Sequence, residues 1–278
     1  MNNIYIKSPL NYVGGKYKLL KEILILFPNN INTFIDLFGG GFNVGVNVNA
    51  KYIIYNDILK QVVDLLNNIK DSNIVDLLNE IDNYINKYNL SKENKEGYLK
   101  LRSDYNFGIK TPMKFYTLLC YAFNYQIRFN KNGEYNMPFG KDRSSFNPTL
   151  KQKLIDFHKR LNEIDCVFLN IPFDKFNLSN LNNNDFVYCD PPYFNSVASY
   201  NENGGWTEEN EKILLSILDQ LNEQGVMFAL SNNLKYDNRI LDEWKNKYNV
   251  HYLNGNYSNC NYQKKDKGKD IEVLITNY

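Results

Sequence analysis

The sequence predicts an α/β fold interrupted by a mostly helical insert, and three observations carry that prediction. Short apolar runs alternate with amphipathic helical segments near both ends of the chain, from Gly14 to Ile69 and again from Cys166 to Tyr278. Between them, from about Lys70 to Asn162, the chain loses this rhythm and reads as charged and aromatic helix. Glycines follow the first apolar run and an acid ends the second, which is where α/β sheets carry their binding loops.

GGKYKLLKEILILF is a turn followed by an amphipathic helix with Leu19, Ile23 and Leu26 on one face. TFIDLF is a short apolar strand running into Gly39, Gly40 and Gly41, and FNVGVNVNA predicts the start of a helix. KYIIYND is a second buried strand ending at Asp57, and ILKQVVDLLNNI is a helix. Strand, glycine turn, helix and strand ending in an acid make a nucleotide-binding βαβ pattern. In the middle segment, RFNKNGEYNMPFGKDRSSFNP carries Gly, Asn and Pro punctuation over alternating residues, which predicts a hairpin or an ordered loop. Beyond it CVFLNI and DFVYCD are strands, and TEENEKILLSILDQLNEQG is a helix with a Thr cap and a Gly stop. VMFALSN is a strand, LDEWKNKY a helix and IEVLITNY the last strand. The expected organisation is one α/β domain in two pieces, 1–68 and 163–278, around an insert at 69–162.

Composition removes several function classes. The four cysteines, Cys120, Cys166, Cys189 and Cys260, form no C-x-x-C pair, which argues against a structural zinc or disulfide framework and fits a reduced cytoplasm. With His158 and His251 alone, a histidine-rich metal site or a catalytic triad is not expected, and His158 reads as a helix-surface residue. The N-terminus has no apolar signal region, and no apolar stretch is long enough to span a membrane. A net charge of +1 announces no nucleic-acid binder, so any such surface must come from local clustering of charge.

The strongest motif is Asp190-Pro191-Pro192-Tyr193 after the apolar run FVYC. Chance would place that tetrapeptide in a chain of this length about once in a thousand. The residue types suit a planar amine of the kind a nucleobase carries, whose nitrogen lone pair is delocalised into the ring. The Asp190 carboxylate and the Pro191 carbonyl can accept both amino hydrogens and favour a pyramidal nitrogen. The two prolines stiffen the loop and lack N–H groups, and Tyr193 offers a stacking face. The second motif, IDLFGGGFNVG, lets a ligand approach the backbone closely, although many folds and plain tight turns share it. Asp57 adds weight at about the spacing where an acid reaches ribose hydroxyls; capping the helix ILKQ is an equally ordinary role. The third is Tyr12 with Gly14-Gly15-Lys16, a glycine pair and lysine beside a helix start that can hold a carboxylate or phosphate. It lacks the spacing and the Ser/Thr of a Walker A loop.

PLNYVGGKYKLL, FIDLFGGGFNVG, YNDI, the insert with FNYQIRFNKNGEYNMPFGK, and DFVYCDPPY, in that order, resemble the Dam family of adenine-N6 DNA methyltransferases, the D12 class in the α-group order. The arrangement looks most like the bacteriophage Dam enzymes and covers nearly the whole chain. The resemblance implies a Rossmann-like methyltransferase sheet with an inserted target-recognition domain carrying a β-hairpin. It implies S-adenosyl-L-methionine as cofactor and double-stranded DNA as partner, with no metal and no membrane. Action as a monomer or weak dimer is expected, and a cognate restriction endonuclease encoded nearby is a further partner to look for.

By the same resemblance, Tyr12, Gly15, Lys16, Asp57 and Asp190 bind the cofactor, with Asp36, Phe38, Gly39, Gly40 and Gly41 of the turn beside it. Phe173 flanks the cofactor's adenine, and Tyr200 contributes to the active site. Asp190, Pro191, Pro192 and Tyr193 receive a flipped-out adenine, because N6 is otherwise paired inside the duplex. Arg128 matches an arginine that reads guanine, Phe123 and Asn124 a pair that intrudes into the duplex, and Pro138 a base-contacting proline. Lys131, Lys141 and Arg143 are expected phosphate contacts. Gln126 stands where Leu or Met is usual near a thymine, and Asn11 where many bacterial members carry lysine. GATC or a related short site is the expected target, and Gln126, which can pair with adenine in the major groove, is where the recognised sequence could depart from it. A basic run at Lys264, Lys265, Lys267 and Lys269 is either a backbone contact or a loop.

Overall fold

Strands whose side chains are apolar on both faces belong in the middle of a sheet covered on both sides. β4 (Phe186–Cys189) and the final strand β7 (Glu272–Thr276) are buried at every position. The computed structural model describes residues 5–196, 205–253 and 271–278. Among these, β1 (Ile31–Asp36), β2 (Ala50–Asn56), β3 (Cys166–Leu169), β4, β5 (Met227–Asn233), β6 (Asn249–Tyr252) and β7 form one sheet in the order β3-β2-β1-β4-β5-β7-β6. The first five strands of that order are parallel, and β7 runs antiparallel between β5 and β6. Strand order reverses between β1 and β4, which opens a crevice at their carboxyl ends. The expected Rossmann-like sheet is present.

Alternation along the strands divides the core into two layers. Phe34, Phe186, Tyr188, Ala229 and Leu274 face one side with α1 (Leu20–Leu26) and α2 (Lys60–Asp71). Ile35, Val187, Phe228, Leu230, Val273 and Ile275 face the other, under α7 (Glu208–Glu223) and α8 (Arg239–Trp244). Thr207 caps α7 through a reciprocal box with Asn210, and Gly225 follows at φ +74°.

The insert holds α3 (Ile74–Lys87), α4 (Lys95–Phe107), α5 (Pro112–Tyr121) and α6 (Pro148–Glu163). Each begins at a side-chain cap, Asn73, Asn94, Thr111 or Asn147, and proline opens α5 and α6. Every residue of α5 after its proline is buried, which makes it the axis against which α2, α3 and α4 pack. Residues 122–140 return as an irregular hairpin, joined by bridges Ala122 to Phe139 and Phe129 to Tyr135, with its tip at Asn130–Gly133. No described helix is long and apolar enough to cross a membrane.

One expectation needs correction, and one strand was not foreseen. FNVGVNVNA forms only a single 3-10 turn at Gly45–Asn47, so β1 reaches β2 without an α-helix. β-branched Val44, Val46 and Val48 and the glycine disfavour helix there. The Asn43 and Asn47 side chains instead accept the backbone N–H groups of Ser8 and Ile6 at 3.1 and 2.8 Å. β6, four residues at the sheet edge with no fully buried position, carries no apolar run and was not anticipated.

Candidate active site

The β1 turn and the β4 loop face each other across the crevice. Gly39 lies so close to the Tyr55 ring that a Cβ there would sit 2.2 Å from it, and Gly40 adopts φ +48°. Tyr55 Oη donates to the Gly40 carbonyl at 2.8 Å, while Gly40 N–H donates to Asp57 Oδ2 at 2.9 Å. Asp57 Oδ1 accepts Leu59 N–H at 2.8 Å, so this acid ties the glycine turn to the entry of α2. The capping role expected of Asp57 is not what forms: α2 starts at Lys60 behind Leu59 with no side-chain cap, and Asp57 closes the turn ahead of it. Beside the glycines lies a cleft lined by Tyr12, Lys16, Asp36, Phe38, Asn43 and Asp190 among others.

Lys16 sits in the 3-10 turn Lys16–Leu19 ahead of α1 and is 3% exposed. Its Nζ lies 2.7 Å from Asp190 Oδ1 and 2.8 Å from Oδ2, and donates also to the Gly14 carbonyl at 2.8 Å. The carboxylate this lysine holds is that of Asp190. Burial pushes the Asp190 carboxyl above its ordinary range, and the Lys16 ammonium opposes that shift. Asp36, wholly buried with one oxygen accepting Gly45 N–H, is raised by desolvation to about 8, and the Asp190 and Asp57 charges add to the rise. Desolvation likewise lifts Asp57 to about 6.

Tyr193 Oη lies 3.3 Å from Asp190 Oδ1 and 3.0 Å from Glu272 Oε2, and Glu272 Oε1 accepts Asn233 Nδ2 at 2.9 Å. Lys16 Nζ stands 5.1 Å from the centre of the Tyr193 ring. Phe173 and Phe38 meet with ring centres 5.3 Å apart, and Trp206 closes the group at 5.2 and 5.6 Å. Asn56 Nδ2 donates to the Leu37 and Ile171 carbonyls, which holds the Phe173 segment against the glycine turn. Sequence reasoning missed Glu272, Asn233, Asn56, Asn43 and Trp206. Asn43 and Asn56 lie inside the motifs FGGGFNVG and YNDI, which marked the segments but not these side chains, whereas Glu272, Asn233 and Trp206 come to the site only through the tertiary fold and carry no local motif. Tyr200 and the lysines at 264–269 lie outside the described residues.

The residues expected to meet DNA converge on the hairpin, apart from the crevice but joined to it. Phe123, Arg128, Pro138, Lys141 and Arg143 are exposed, and Asn124 and Gln126 are half-buried. Phe123 N–H donates to the Pro138 carbonyl at 2.8 Å, and the Arg143 guanidinium lies 5.5 Å from the Phe123 ring. Arg128 donates from Nε to Asn136 Oδ1 at 2.7 Å and from its terminal nitrogen to the Asn136 carbonyl at 3.0 Å. Asn11 Nδ2 donates to the Asn124 carbonyl at 2.6 Å, linking the Tyr12–Lys16 loop to the hairpin base. Lys131 is exposed at the hairpin tip. His158 is half-buried on α6 with Nε2 against the Ser72 carbonyl at 2.9 Å, a structural contact.

These features have counterparts in known proteins. The type II methyltransferase M.FokI of Planomicrobium okeanokoites is 51% identical over 99% of this chain and 43% of its own length. Modification methylase StsI of Streptococcus sanguinis is 43% identical over the same shares, 99% and 43%. The DNA adenine methylase of Escherichia coli K12 is 25% identical over 88% of this chain and 86% of its own. The chain therefore spans less than half the length of M.FokI and StsI. Residues 12–259, from the lysine loop through the glycine turn, the insert and the DPPY strand, match one family profile. On that match and those identities, the chain belongs to the D12 class N6 adenine-specific DNA methyltransferases.

Proposed function

We propose that this protein transfers a methyl group from S-adenosylmethionine to N6 of an adenine flipped out of duplex DNA. The observation that carries the reading is the meeting of Asp190-Pro191-Pro192-Tyr193 with the glycine-floored cleft at the strand-order reversal. The cleft offers carboxyls to a cationic ligand: Asp36 and Asp190 line it, and Lys16 is paired with Asp190. Tyr12, Gly15, Lys16, Asp36, Asp57, Asp190 and the Gly39–Gly41 turn would hold the cofactor, with Phe38 and Phe173 at its adenine. The bound cofactor supplies an electrophilic methyl on a positively charged sulfur, a leaving group that needs no further activation.

The chain's own contribution is position and polarity. Lys16, on both carboxylate oxygens, opposes the effect of burial on Asp190 and favours its ionised form, which is purely an acceptor. Asp190 and the Pro191 carbonyl take the two N6 hydrogens, and Tyr193 stacks on the base. This would turn the nitrogen lone pair towards the methyl that the bound cofactor supplies, so that the residues' contribution to the transfer is orientation. The methylated nitrogen would then give up one proton, through the Asp190 carboxylate to solvent. The adenine must leave the helix to reach this crevice.

The hairpin reads the site. Asn136 occupies one edge of the Arg128 guanidinium and leaves the other edge for bidentate bonding to guanine O6 and N7, worth about 1–3 kcal/mol of discrimination. Lys131, Lys141 and Arg143 take phosphates, Phe123 and Asn124 enter the duplex, and Gln126 and Pro138 meet bases. GATC is the first sequence to test. A role in DNA modification accords with StsI being a modification methylase, and a restriction endonuclease encoded nearby is the partner to look for.

The test is tritiated methyl transfer from S-adenosylmethionine to unmethylated DNA, with sequencing of the product. N6-methyladenine in one short motif is expected, and Asp190→Asn should slow transfer at least a hundredfold, in line with loss of a group aimed at the reacting atom, while DNA binding persists. Methylcytosine, or no label on DNA, would overturn the reading.

A further inference from the structure

We propose that Glu272 is a positioning residue that keeps Asp190 available as an acceptor by drawing the Tyr193 hydrogen to itself; this rests on the methyl-transfer reading above. Tyr193 has one hydroxyl hydrogen and two carboxylates within reach, Glu272 Oε2 at 3.0 Å and Asp190 Oδ1 at 3.3 Å. Asp190 already accepts Lys16 on both oxygens. A further hydrogen from Tyr193 would occupy a lone pair that the target amine needs and would weaken the carboxylate as an acceptor. Glu272, buried at the start of β7, gives that hydrogen another destination.

The arrangement is locked from behind. Asn233 Oδ1 accepts the backbone N–H groups of Lys235 at 3.0 Å and Ile271 at 3.3 Å, so its Nδ2 is obliged to face Glu272 Oε1. Glu272→Gln makes the consequence specific. The glutamine must turn its carbonyl oxygen to Asn233 and its Nε2 to the phenol. An N–H then donates to the Tyr193 oxygen, and the phenol hydrogen has Asp190 as its acceptor.

The experiment compares single-turnover methyl transfer by the whole chain as wild type, Glu272→Gln, Tyr193→Phe and the double variant. Cofactor affinity is measured by calorimetry and folding by circular dichroism. Glu272→Gln should slow transfer about ten- to a hundredfold, the range for one charge-assisted hydrogen bond, with cofactor affinity changed less than about threefold. The double variant should be faster than Glu272→Gln and match Tyr193→Phe, because removing the hydroxyl removes the misdirected hydrogen. Glu272→Ala, which also leaves Asp190 as the acceptor, carries the same expectation should the glutamine variant not fold. A double variant as slow as Glu272→Gln or slower, or a Glu272→Gln enzyme at wild-type rate, overturns the proposal. A wild-type chain that methylates no DNA overturns the parent reading, and this one with it.

Discussion

Asp36 holds a carboxyl with a single backbone donor where water is excluded, and burial raises it to about 8. The unfolded chain releases this proton near its ordinary value of 3.8, while the folded chain keeps it to about 8. Between those values the folded state binds more protons, so the stability Asp36 contributes is full below about pH 4 and is lost as the pH climbs to 8. Asp36→Asn keeps an oxygen for Gly45 N–H and removes the titration. Its melting temperature should exceed that of wild type by a margin that grows from pH 5 to pH 8, each pKa unit being worth about 1.4 kcal/mol. A margin independent of pH would show that Asp36 does not titrate in this way. The same carboxyl bears on the proposed cofactor. A positive sulfonium favours the ionised acid, so affinity for S-adenosylmethionine should rise through pH 6–8.5, whereas the neutral thioether product should respond much less.

At the scale of elements, the hairpin between α5 and α6 is shaped by its own side chains. Asn124 and Tyr125 both have positive φ, 54° and 56°, a conformation that costs roughly 1–3 kcal/mol at a non-glycine residue. Contacts to both residues come from outside the turn, from Asn11 to the Asn124 carbonyl and from Tyr125 Oη to the Arg143 carbonyl. Arg128 is fixed across the hairpin by Asn136. Arg128→Ala should therefore erode discrimination between sites more than overall affinity, and Asn136→Ala should do so to a lesser degree by loosening the guanidinium. Competition binding against single-base variants of the methylated motif separates the cases: uniform weakening would make Arg128 a phosphate contact. The residues of this hairpin were legible as a punctuated segment, but its conformation was not. No periodicity encodes two left-handed residues, one of them held by Asn11 from more than a hundred positions away. In the sheet, β1, β2, β4 and DPPY were legible because apolar runs and rare motifs are local. Glu272 was not, since its place beside Tyr193 follows only from β7 lying antiparallel next to β5.

At the scale of the whole molecule, the sequence divides at 69 and 163, yet the apolar interior does not. One continuous cluster runs from Leu10 and Phe34 through Val62 and Leu66 of α2 into Leu77, Leu101, Phe115, Leu118 and Leu154 of the insert, and on to Leu274 of β7. α2 touches β3 on one side and both α5 and α6 on another, so the insert leans on a helix that is itself part of the sheet's cover. An insert with its own closed core could melt alone; this one would expose the face of α2, and with it the sheet, as it opened. The chain carries two independent reporters of that event. Helical circular dichroism is weighted towards the insert, where α3 to α6 lie. Trp206 and Trp244, the two tryptophans, lie on the far face of the sheet with α7 and α8. Denaturant unfolding followed by far-ultraviolet dichroism and by tryptophan fluorescence should therefore give superimposable curves with one midpoint. Excision of the insert should leave a chain that does not fold, because it removes the partners of Val62, Leu65 and Leu66. If dichroism is lost at lower denaturant than fluorescence, the insert is a separate cooperative unit and the continuous cluster does not couple it to the sheet.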